Sequence, residues 1–177
     1  IQKLDNSHPN DYLPMLLSAN YYWWLIISGH DTPETREKYY NYLNNSLAVL
    51  GSEKKSDYSN DSLYALITTF AYKARIHSMN NQYFSALTQL NNCIDFIKQS
   101  FGKEQEYELF LLTSGLYYYY TEAVKKNYPF LIPYFIFLPE GNITTGIAFL
   151  EKASASGNPL LSTEATYFLM KIYLEEE

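Results

Sequence analysis

Glycine and proline are scarce in this chain, seven of each in 177 residues, and most of them fall where a helical pattern of apolar residues stops. That punctuation belongs to a chain built mainly of helices. Read on it, seven helical stretches emerge. The first runs from about Asp11 to Ser28 and ends at Gly29. Beyond it, Asp31-Thr32-Pro33-Glu34 supplies a capping residue, a proline for the first turn and an acid for the positive helix end. The second covers about Pro33 to Leu50 and stops at Gly51. Ser52 to Asn60 is polar and without period, so it reads as a loop. The third, about Asp61 to Met79, repeats apolar positions at Leu63, Leu66, Ile67, Phe70, Ala74 and His77, the spacing of one helix face. After a turn at Asn80-Asn81, the fourth runs from about Gln82 to Phe101. Its stripe is Tyr83, Ala86, Leu87, Leu90, Cys93, Ile94 and Ile97, and Gly102 ends it. The fifth spans about Glu104 to Lys126. The sixth, about Asn142 to Ser156, precedes Gly157, and Asn158-Pro159 opens the seventh. No alternating run of strand length is flanked by hairpin-turn dipeptides, so an all-α chain is predicted. Its length suits a single domain, 1–177, with an aromatic insert at about 127–141.

Composition narrows the function classes. A net charge of −6 and a thin scatter of 13 Lys and Arg lack the basic stripe that phosphate binding needs, so nucleic acid is not an expected partner. Cys93 stands on an apolar stripe, where a small buried thiol is the ordinary reading, and one cysteine forms no internal disulfide. The chain begins with Ile1, so an export signal would lie upstream of it. His8, His30 and His77 are far apart and none belongs to a pairing that sets two ligands on one helical face. There is no glycine-rich phosphate loop, nucleophile elbow or acid pair on an apolar face. Glu104, Glu106 and Glu108 surround a predicted helix start, where the helix dipole accounts for them, and Glu175-Glu176-Glu177 reads as a solvated end. An enzyme is therefore not expected, nor a metal or other cofactor.

Aromatic residues carry more information: 19 are Tyr and 10 are Phe. Tyr117 to Tyr120 are consecutive on a helix, and at about 100° per residue they point all round its axis, so something must cover the outer side. The nearest apolar material is the insert, Pro129-Phe130-Leu131-Ile132-Pro133-Tyr134-Phe135-Ile136-Phe137-Leu138-Pro139. It is too short to span a bilayer, which takes about twenty residues. Its two readings are a flap folded back on the fifth helix, or an exposed apolar lip for a partner, a lipid or a membrane surface.

The segment Phe70, Ala74, His77, Asn80-Asn81, Ala86, Leu90 and Cys93 resembles a tetratricopeptide repeat: large, small and ring residues on one helix, a turn, then a second helix with its own small residue. Partial echoes are Met15, Ala19 and Tyr22; Leu111, Gly115 and Tyr118; Gly146, Leu150 and Ala153 with Pro159 beyond; and Leu161, Ala165 and Phe168. Their spacing is wider than the standard period of about 34 residues, which marks kinship and not a regular array. Gly115-Leu116-Tyr117, the aromatic insert, and Gly146, Leu150 and Ala153 are also similar to a group of uncharacterised bacterial tetratricopeptide-like proteins, many predicted to be exported. The resemblance implies an α-α superhelix, a solenoid of about three and a half helical hairpins, a location in the bacterial cell envelope or periplasm, and no known activity.

In such solenoids the first helix of each pair lines a concave groove just after its small residue. Carried over, that register puts Asn20, Trp23, Trp24, Arg75, Ser78, Met79, Leu116, Tyr119 and Tyr120 on the concave side, residue types that binding hot spots favour. The expectation is a non-enzymatic module whose aromatic groove holds a protein or peptide. The alternative is a small-ligand, lipid or membrane-surface binding helical protein that uses residues 129–139 as lid or anchor. Large aromatics that fill space between hairpins would look the same. Partner identity and oligomeric state are left open by the sequence.

Overall fold

A computed structural model describes residues 11–51, 58–136 and 138–175. His8, residues 52–57 of the expected loop, Phe137 and residues 176–177 lie outside the described residues. Among the described residues there are seven α-helices, one 3-10 helix and no strand: α1 (Tyr12–Ile27), α2 (Pro33–Leu50), α3 (Asn60–Met79), α4 (Tyr83–Ser100), α5 (Phe110–Asn127), the 3-10 helix (Pro129–Tyr134), α6 (Ile143–Ser154) and α7 (Pro159–Glu175). The chain is all-α.

Local chemistry explains where the helices begin. The Asp11 carboxylate accepts from the Leu13 amide at 2.9 Å, and Thr32 and Thr35 form a reciprocal capping box with Pro33 in the first turn. Ser59 accepts from Ser62 N, Asn142 from Thr145 N, and Asn158 Oδ1 from the amides of Leu160 and Leu161. Each supplies an acceptor to amides that have no partner inside the helix. Turns use the residues that tolerate left-handed backbone: Gly29 (φ +97°), Gly102 (φ +82°) and Asn81 (φ 58°).

The chain divides into two compact units, Ile1–Cys93 and Ile94–Glu177. In the first, α1 and α2 pack antiparallel, with Tyr22 stacked on Tyr42 (5.8 Å between centroids) and Trp23 beside Tyr39 (6.4 Å). α3 runs antiparallel to α2, where Arg36 reaches Asn80 and Asn44 receives a hydrogen bond from Lys73. It runs parallel to α1, where Asn20 meets Tyr72 and Trp23 meets Arg75. Tyr39, Leu43, Leu50, Leu63, Ile67 and Ile76 are fully buried between these helices. Ala19 and Ala74, the small residues of the repeat register, are buried as well.

In the second unit α5 and α6 form an antiparallel pair at a glycine crossing. A Cβ on Gly115 would stand 3.0 Å from Leu150 Cγ, and one on Gly146 only 2.6 Å from the Tyr119 backbone nitrogen. Leu111, Leu112, Tyr119 and Leu150 join Leu161, Ala165, Leu169 and Ile172 of α7 in one core.

Two sequence expectations need correction. α5 begins at Phe110 and not near Glu104, because residues 103–109 first make a run of tight turns, with Glu106 N bonded to Lys103 O and Phe110 N to Tyr107 O. The Glu104 carboxylate does not cap a helix; it accepts from Ser114 Oγ at 2.7 Å. On α4, Ala86, Leu87, Cys93 and Ile97 are buried as the stripe predicts, but Leu90 is exposed.

Candidate binding surfaces

In the first unit the side chains gather around Arg75. Its guanidinium lies 3.6 Å from the Tyr72 ring centroid and 4.0 Å from that of Trp23, a cation held between two aromatic faces. Arg75 Nε donates to Tyr39 Oη at 3.2 Å, and Tyr39 Oη donates to the Tyr72 carbonyl at 2.6 Å. Asn20 Nδ2 donates to Tyr72 Oη at 3.0 Å. The cluster draws on α1, α2 and α3 at once, and the i, i+3 spacing of Tyr72 and Arg75 aligns both side chains on one face of α3.

The structure therefore brings Asn20, Trp23 and Arg75 together. Asn20 and Trp23 are buried at 4% exposure each, whereas Arg75 and Trp24 keep partial exposure. Ser78 and Met79, one turn further along α3, are exposed. Tyr39 and Tyr72 organise this site and were not among the sequence candidates. Tyr72 could have been found, because it precedes Arg75 by three residues; Tyr39, on another helix, carried no local signal.

The remaining candidates belong to the second unit. Tyr119 is buried in its core, and Leu116 and Tyr120 pack against that core partly buried. Tyr120 meets Phe168 edge-on at 6.5 Å and Tyr119 at 5.1 Å. Tyr119 is buried and Tyr117, Tyr118 and Tyr120 are partly covered: Phe101 stacks on Tyr118 (5.2 Å) and meets Tyr117 edge-on (5.3 Å), and Tyr118 meets Phe149 (6.0 Å).

The insert supplies the rest of that cover. Tyr117 Oη donates to the Pro139 carbonyl at 2.7 Å, Asn142 N to the Tyr118 carbonyl at 3.0 Å, and Gly141 N to the Glu122 carboxylate at 3.2 Å. Leu131 and Phe135, four residues apart, are buried, while Phe130, Ile132, Tyr134 and Ile136 project outwards. One face of the insert is thus turned inwards and the other is exposed.

Other potential chemistry is placed as follows. His30 Nδ1 lies 3.4 Å from Ser28 Oγ, and His77 Nδ1 lies 2.8 Å from Gln82 Oε1. Among the described residues no group of three or more His, Cys, Asp and Glu could hold a metal ion, and no helix is long and apolar enough to cross a membrane. Burial pushes the Cys93 thiol from 9.0 up to about 12. Burial likewise raises the Tyr117 phenol from 10.0 to about 12, against a lowering by its hydrogen bond with Thr121.

Both groups favour the protonated form in the folded chain, so their contribution to stability is complete below about pH 9 and is lost as pH rises towards about 12. The melting temperature is expected to fall across that window, and less steeply in the Cys93→Ala and Tyr117→Phe variants. A wild-type curve that stays level from pH 9 to 12 would rule the linkage out. No protein-family model, no curated protein and no solved structure matches the chain.

Proposed function

We propose that this chain is a non-enzymatic interaction module, a tetratricopeptide-like arrangement of helical hairpins that holds a peptide segment of a partner protein. The arrangement of α1 antiparallel to α2 and parallel to α3, with Ala19 and Ala74 buried, fits the hairpin-plus-next-helix pattern such a module repeats. The buried small residues Gly115 and Ala165 fit the same pattern in the second unit.

One observation carries the functional reading: the Arg75 guanidinium is fixed between Trp23 and Tyr72 beside exposed Ser78 and Met79 and partly exposed Trp24. Arginine, tryptophan and tyrosine are the residue types in which binding energy concentrates, and rigid aromatics lose little entropy when a partner covers them. A flexible methionine at the edge adapts to irregular apolar surface.

The test is selection of binding peptides from a displayed random library, followed by titration of the winners. Ser78→Arg, which fills the surface without touching the buried cluster, is expected to weaken the selected peptides about tenfold, equal to about 1.4 kcal/mol. A library that yields no binder, or binders indifferent to Ser78→Arg and Met79→Ala, would remove the reading.

A further inference from the structure

We draw no further inference here: the strongest candidate, the apolar outer face of the insert formed by exposed Phe130, Ile132, Tyr134 and Ile136, carries nothing because nothing in the structure shows what covers it.

Discussion

Gly146→Ala is expected to lower the melting temperature by about 10 °C, a loss of roughly 3 kcal/mol from one added methyl group. At this crossing the new Cβ would meet the Tyr119 nitrogen at 2.6 Å, the Gly115 carbonyl at 2.9 Å and Tyr119 Cβ at 2.9 Å. Two of the three are backbone atoms, so no side chain can rotate away; α5 and α6 must separate along their whole contact. Separation loosens Leu150 and Tyr119 in the core they share with α7. Alanine is the better helix former by about 1 kcal/mol, and the crossing has to outweigh that gain. Gly157→Ala is the matched control, because a Cβ there meets nothing within 4 Å and the backbone is not left-handed. Thermal unfolding by circular dichroism decides the matter. Equal melting temperatures for the two variants would mean that the helices do not cross at Gly146.

Tyr39→Ala is expected to cost about 4 kcal/mol by chemical denaturation, the range for truncating a fully buried aromatic. Tyr39 is 0% exposed, packs beside Trp23, and joins α2 to α3 by accepting from Arg75 and donating to the Tyr72 carbonyl. Tyr39→Phe separates the two contributions. It keeps the ring and removes both hydrogen bonds, and should cost about 1 to 2 kcal/mol because Arg75 loses its buried acceptor. If phenylalanine is tolerated without loss, the hydroxyl does not organise the cluster. If it costs as much as alanine, the ring does not.

Much of this architecture is legible in the sequence because helix ends are local chemistry. Thr32-Pro33, Asn80-Asn81, Gly102, Asn142 and Asn158-Pro159 mark boundaries that the structure places within a residue or two. The start of α5 was not legible, since Glu104 and Glu106 look like first-turn acids and nothing nearby announces that Glu104 is engaged by Ser114 ten residues on. The same limit applies to side-chain depth. Periodicity assigns Asn20, Trp23 and Trp24 to a helix, but how deeply each lies depends on α2 and α3, which pack against that helix from elsewhere in the chain. Leu90 continues an apolar stripe and yet is exposed, for the same reason. In the insert the run of apolar residues has no period to separate buried from exposed positions. Only the fold of the segment, a 3-10 turn followed by a stretch whose Pro139 carbonyl accepts from Tyr117 of α5, turns Leu131 and Phe135 inwards.

Within each unit most contacts join helices that follow one another in sequence, α1 with α2, α2 with α3, α5 with α6, and α6 with α7, and fewer join α1 to α3 and α5 to α7. Such neighbourly pairing keeps the loops to be closed short, and chains of this kind reach their native state on the microsecond-to-millisecond scale. A nascent hairpin can collapse as soon as its second helix leaves the ribosome, before distant segments exist to compete for its aromatic surface. For a chain so rich in exposed rings during synthesis, early closure is itself a safeguard against aggregation.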